Sequence, residues 1–528
     1  MRVARCKTDQ ASRSRPRRSR SLAFAVLLVG AGLGTAPAAA GGRPDITVAV
    51  TQLTAHLDPM GANANVNERV SENVVENLIR YDFETSTVKP GLATSWRMVD
   101  HHTMELKIRE GVVCHNGEDF NAEDVAYMFG PARYNGEDAP GFELAKQFLG
   151  TFESVETTDS HTVRITTSLP DALLVNRLAG WMGQVPCADA FKAAASWEAW
   201  GQAVVGTGPY KVAEVSPGEF HRFEAFDGYW GEKAPAASFT LKVVPEMAAR
   251  VAGLISGEFD IITEITPDQF KTIKDGGFEV AGGPTRNVRM LPFDTRHPAL
   301  RDPRVRRAMS LAIDRQLLVD TLFDGLTRVP NGLQMKAFGD MYIKDFKGAS
   351  FAPEAAKGLL KEAGYDGTEI SFRYRQDYYT GEVATSQALQ QMWKDVGLNV
   401  KLELVENTQQ IVGDGTDQGR GTFNWSVTAY FFDPIGQIFR QYGPDSRFQK
   451  EGYWRNEQFN EHGKKLYSTK LETRRAAARG LLEIFETDPP ATYLYVNTFF
   501  YGKKPSLNWT ATDTAFMDFR AGALGFKD

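Results

Sequence analysis

Cys114 and His115 are neighbours, and a thiol beside an imidazole is the pairing that a nucleophilic or metal-binding site would use. On an extended segment, however, adjacent side chains point to opposite faces, and no second ligand pair stands at zinc-site spacing. The eight histidines are scattered, and His101-His102 suits a solvated turn. The chain carries no Gly-x-Ser-x-Gly elbow, no phosphate loop ending Gly-Lys-Ser/Thr and no His-Glu-x-x-His helix. Gly30-Ala31-Gly32-Leu33-Gly34 has the look of a nucleotide loop but sits inside an apolar N-terminal stretch. Arg304, Arg306 and Arg307 near a helix start would suit an anion, and solvated or salt-bridged faces are the expectation for them. No catalytic residue, metal site or cofactor is expected, and the weight falls on binding rather than on an enzyme.

The N-terminus carries its own chemistry. Arg13, Arg15, Arg17, Arg18 and Arg20 precede an apolar run from Leu22 to Leu33, which ends in Ala36-Pro37-Ala38-Ala39-Ala40. A charged start, a short apolar core and a small-residue exit form a secretory signal, with cleavage near Ala40. The run is short of the roughly 20 apolar residues of a membrane span, so a permanent anchor is the lesser alternative. Arg17-Arg18 leaves the twin-arginine route open, although Arg20 stands where that signal wants an apolar residue. With no cysteine at the cleavage point, a soluble periplasmic protein is expected. The overall charge of −6 and the basic cluster's place in the discarded segment argue against a nucleic-acid partner. Only Cys114 and Cys187 remain after the signal; an oxidising compartment would permit a disulfide between them, and two buried free thiols are the alternative.

The elements that would position a site alternate between the two periodicities. Asp45–Val50 and Thr103–Ile108 read as strands, as does Phe239–Val244. Asn67–Ile79 has helical spacing at Val70, Val74, Val75 and Leu78. Asn121 caps a helix opening Ala122-Glu123-Asp124-Val125, and Gly364 and Gly397 stop helices over Glu354–Glu362 and Gln387–Asp395. Strands and helices mixed along a chain of this length imply an α/β protein of two or three closely packed domains.

A series of short motifs then follows in order: Leu57-Asp58-Pro59, Lys89-Pro90-Gly91-Leu92-Ala93, Asn121-Ala122-Glu123-Asp124-Val125, Gly206-Thr207-Gly208-Pro209-Tyr210, Asp227-Gly228-Tyr229-Trp230-Gly231 and Asp302-Pro303-Arg304-Val305-Arg306-Arg307-Ala308. With them the chain resembles the extracytoplasmic solute-binding proteins of family 5, typified by dipeptide- and oligopeptide-binding proteins of ABC importers, over almost its whole mature length. Gly206, Gly208 and Pro209 suit a tight turn before a strand, and Tyr229 and Trp230 suit core anchors. The resemblance implies an α/β, two-lobe periplasmic binding protein fold with large, discontinuous lobes joined by a hinge. Lobe I would take residues 41–288 and 495–528, with a subdomain inserted at roughly 75–205; lobe II would take 289–494. It further implies a monomer that captures a peptide or peptide-sized polar metabolite by hinge closure and delivers it to a membrane permease.

The same resemblance implies where the ligand sits. Gln52, Leu53 and Thr54 occupy the loop that runs beside bound peptides, and Tyr378 matches the family's pocket tyrosine. Arg375 stands one place from the family's carboxylate-binding arginine, a position held here by Gln376; one residue along an extended segment turns the side chain away. Peptide binders of the family carry an aspartate where Tyr430 stands, and it pairs with the ligand's ammonium. Without it, a buried ammonium lacks a counter-charge. Tyr378, Tyr379, Tyr430, Phe431, Phe432, Trp181 and Trp425 supply aromatic faces suited to sugar rings, opine-like conjugates, quaternary amines or apolar side chains. Asp433 is the nearest carboxylate, in a place that suits a turn, and Asn407 completes the set. A non-peptide ligand such as an opine or oligosaccharide is the alternative reading, and a secreted hydrolase a remoter one.

Overall fold

The computed structural model describes residues 42–527 apart from 62–64, 83–84, 86, 377 and 414–418. The expected signal at residues 1–40, with its cleavage near Ala40, lies outside the described residues. Strand Asp45–Val50 forms where the sequence alternates, and pairs in parallel with Ser238–Val243 on one side and Ile261–Ile262 on the other. These strands belong to an eight-stranded mixed sheet. Its order runs Trp425–Thr428, Glu279–Pro292, Ala491–Lys503, Ile261–Ile262, Asp45–Val50, Ser238–Val243, Phe220–Ala225 and Tyr210–Ser216. A separate antiparallel sheet holds Ala93–Met98, Thr103–Ile108, Thr162–Thr167 and Phe152–Asp159. Its buried face (Met104, Leu106, Val163, Ile165) shares one apolar core with Ile46 and Val48 of the large sheet. Ile370–Tyr374 and its parallel neighbours Val400–Leu404 and Thr422–Phe423 make a third sheet.

Two long strands tie these layers together. Glu279–Pro292 and Ala491–Lys503 run antiparallel to each other. Tyr501 and Phe500 bury into the first set of cores, whereas Val288, Met290, Tyr493 and Val496 bury into a second. The ladder between the strands loses register at Pro284/Val288 and again at Val288/Met290, where the chain passes from one set to the other. Side chains repair the gap. Thr285 Oγ1 donates to the Asn497 carbonyl at 3.0 Å, the Asn497 amide donates to Asn287 Oδ1, and Asn287 Nδ2 donates to Ser426 and Thr428 hydroxyls at 2.9 and 2.7 Å.

Several local expectations are met closely. Asn121 and Asp124 form a reciprocal capping box on helix Ala122–Met128. Gly364 and Gly397 adopt φ of 66° and 94° just past helices Pro353–Ala363 and Glu382–Asp395, the left-handed region that a Cβ resists. Asn67–Ile79 is a correction: it is not one helix but two four-residue turns, Asn65–Glu68 and Ser71–Val74, followed by strand Ile79–Asp82. The carbonyls that a continuing helix would need are taken elsewhere. Val74 accepts from Gly208 N, Glu76 from Val185 N and Asn77 from Leu92 N.

That bent segment explains the family-like motifs. The Glu76 carboxyl, fully buried, accepts from Thr207 Oγ1 at 3.0 Å, Tyr229 Oη at 2.9 Å and Trp230 Nε1 at 2.8 Å. Gly206 and Gly208 are glycines for close approach rather than for a turn. Neither has positive φ, and a Cβ on either would strike the carbonyls of Val74 and Asn73. His115 braces the same loop, its imidazole meeting the Gly208 carbonyl at 3.0 Å and accepting from Gly206 N at 3.2 Å. Beside it, Cys114 and Cys187, both fully buried, are joined by a disulfide. Of the arginines near the start of helix Pro303–Leu311, Arg304 pairs with Asp302 and the buried Arg306 with Asp488, so neither presents a free anion site.

Candidate functional site

Where the two long strands cross, two cavities open on either side of Tyr430. The first, about 560 Å³ with the space open to solvent included, is lined by Arg375, Tyr378, Tyr379, Trp425 and Arg440 among others; the second, about 470 Å³ on the same measure, by Glu68, Tyr81, Trp181, Gln184 and Arg286 among others. Thr428 and Tyr430 line both, so the two adjoin across an aromatic ridge. The ridge is rigid because it is stacked: Trp181 lies against Tyr430 with centroids 5.5 Å apart, and Phe148 meets Tyr430 edge-on at 4.9 Å.

The cleft is built by residues far apart in sequence. Tyr379 donates to Ser426 Oγ at 3.0 Å, and its ring covers the wholly buried Arg289 guanidinium at 3.5 Å. Arg289 in turn faces Glu382 at 3.7 Å, and Glu382 accepts from the backbone of Arg375 and Tyr379, fixing the loop that carries them. Arg375 lines the first cavity. The expectation that a one-residue offset turns it away is overturned, because Ile370–Tyr374 ends before it and the Glu382 carboxylate captures its amide. Its guanidinium donates to Thr408 Oγ1 at 3.3 Å and, across the cleft, to Gln52 Oε1 at 3.4 Å.

Other expected residues stand back from the cavities. Thr54 is spent on Asn67 and the His56 carbonyl, and Leu53 packs against the first core. Asn407 caps helix Thr408–Val412 by accepting from Gln410 N at 3.0 Å. Phe431 is buried in the second core. Phe432 packs behind the second cavity, 5.0 Å from the Tyr81 ring and 4.8 Å from the Arg286 guanidinium. Asp433 caps the turn Pro434–Gly436 and pairs with Arg474 at 2.5 Å, which is the structural role its place before a proline allows.

Three charged residues of the cleft carried no signal in the sequence. Burial pushes the Glu68 carboxyl up to about 7, against the pull of Arg286 and Arg440. Arg286 pairs with Asp513 at 3.0 Å. Arg440, on helix Ile438–Tyr442, is 7 % exposed and places its guanidinium 4.9 Å from the Tyr430 ring.

The sequence model of the bacterial extracellular solute-binding proteins, family 5 (middle part), matches residues 87–447. The chain belongs to that family: it is an extracellular solute-binding protein and not an enzyme. It is 28% identical over 392 residues to the glutathione-binding protein GsiB of Shigella flexneri serotype 5b, covering 72% of this chain and 74% of that one. Among solved structures, the ABC transporter-associated periplasmic binding protein DppA of Helicobacter pylori, in complex with the peptide STSA, superposes with a TM-score of 0.81 at 18% identity. The match covers 92% of this chain and 98% of DppA. AgaA of A. tumefaciens R10, in complex with agropinic acid, superposes with a TM-score of 0.77 at 20% identity, covering 92% and 99%. The fold is therefore the mixed α/β fold of periplasmic binding proteins.

Proposed function

We propose that this protein is the exported receptor of an ABC importer, binding a peptide-sized polar solute in the cleft astride Tyr430 and delivering it to a membrane permease. Residues 1–40 serve as its signal peptide. Residues 41–288 with 495–528 form one lobe and 289–494 the other, hinged where the two long strands lose register. The observation that carries the reading is the pair of cavities on either side of Tyr430, beside the stretch where the long strands lose register, one lined by Glu68 and Trp181 and the other by Arg375, Tyr379 and Trp425. A solute touching both sides favours a closed state in proportion to its differential contacts. Gln52, Arg375, Tyr378, Tyr379, Trp425, Tyr430 and Trp181 are the proposed contacts.

Relatives bind glutathione, peptides or agropinic acid, so the family leaves the solute class open. Tyr430, where peptide binders carry an aspartate, favours a ligand whose ammonium is not the anchor. A thermal-shift screen of the mature protein against peptides, glutathione, sugar–amino acid conjugates, oligosaccharides and betaines tests this. A true solute at a hundredfold excess over Kd stabilises by about 2.7 kcal/mol. A screen in which no compound shifts the melting temperature, or one in which a bound compound is turned over, sinks the reading.

A further inference from the structure

The geometry points to an acidic solute: Arg440 takes a carboxylate of the ligand while the uncharged part lies on the Trp181–Tyr430 ridge. This rests on the solute-binding reading above and narrows it to a chemical class. Arg440 is more than nine-tenths buried, yet it lines the first cavity and no carboxylate among the described residues lies within 4 Å of it. Its hydrogen bonds are two long ones, 3.3 Å to the Gly436 carbonyl and 3.4 Å to the Thr428 carbonyl. A guanidinium has five N–H donors, and a buried one held so loosely carries a desolvation cost that a ligand carboxylate would offset with a charge-assisted pair. Three other buried arginines are committed to carboxylates: Arg133 to Asp58, Arg177 to Asp171 and Arg520 to Asp518 and Glu72.

The charges facing Arg440 do not supply a substitute. Glu68 is the carboxyl in electrostatic reach, and it is held back near neutrality by burial and shared with Arg286. Glu382, in the same cavity, is engaged with Arg289, Asn424 and two backbone amides. Arg375 adds a second guanidinium to the cavity wall. A cationic ligand head would meet this positive wall with no aspartate at the Tyr430 position. The second cavity asks for the opposite kind of group. Trp181 Nε1 and Gln184 Oε1 are buried without hydrogen-bond partners among the described residues, and both side chains line it. A hydroxyl- or amide-bearing portion, able both to accept and to donate, satisfies that pair.

Isothermal titration with two matched pairs of probes decides the matter: glutathione against its diamide, and a hexityl–glutamate conjugate against its diamide, with Ala-Ala amide, choline and maltotriose as uncharged or cationic comparators. At least one acid binds, its amide binds ten- to a hundredfold more weakly, and Arg440→Gln removes that preference while Arg440→Lys keeps part of it. Melting curves of both variants establish that they fold; should Arg440→Gln not fold, the acid–amide ratio in the wild type and in Arg440→Lys still decides. Amides binding as tightly as acids, an acid preference that survives Arg440→Gln, or tight binding confined to the comparators overturns the inference while leaving the solute-binding reading intact. Binding of no probe at all, here and throughout the broader screen, overturns both.

Discussion

A single carboxyl in the cleft shows how burial turns into a measurable pH response. Glu68 is raised to about 7 from an ordinary 4.5, so the folded state holds its proton more tightly than the unfolded chain does. Between those values the native state binds more protons, and the group's contribution to stability is present below about 4.5 and is lost as pH rises through 7. Glu68→Gln removes this dependence. In urea denaturation the variant gains on the wild type from pH 5 to pH 8; an unchanged difference between the two proteins across that range refutes the assignment. Glu68, Arg286 and Arg440 were not legible in the sequence. They lie on a short turn, a long strand and a five-residue helix hundreds of residues apart, and only the closed topology brings them to one cleft. Arg375 was misjudged for a related reason: alternation predicts direction only while a strand lasts, and the strand ends one residue before it. The aromatic character of the candidate cavity was legible, because Tyr378, Tyr379, Trp425 and Tyr430, all named from the sequence, line it.

Elements were legible wherever the cause is local. Thr103–Ile108 follows from alternation and Ala122–Met128 from its cap, whereas the broken segment Asn65–Val74 does not, because distant partners claim its carbonyls. One of those partners, Gly208, belongs to the Gly206-Thr207-Gly208 loop, and the disulfide between Cys114 and Cys187 is the covalent brace behind that loop. It spans 73 residues of chain. Closing a loop of that size restricts the unfolded ensemble by about 4 kcal/mol in the chain-entropy model. Cys114→Ser with Cys187→Ser is expected to lower unfolding free energy by about 2–5 kcal/mol, and dithiothreitol to lower the wild type equally while leaving the double variant unmoved. Equal stability of the oxidised wild type and the double variant contradicts this.

At the scale of the whole molecule, two strands carry every continuous connection of the large sheet between its core sets, and both are irregular at the crossing. Irregular ladders bend more readily than regular ones. Small-angle scattering should therefore show a smaller radius of gyration once a solute from the screen is saturating, and an unchanged radius excludes hinge closure as the response. The C-terminal stretch has a different consequence. Trp509, Met517, Phe519 and Leu524 belong to the same core as Ile46 and Val48, and Asn73 exchanges hydrogen bonds with Met517 and Phe519. A chain made from its N-terminus thus cannot complete this core until Leu524 has emerged. The order of synthesis itself postpones the native packing of that core.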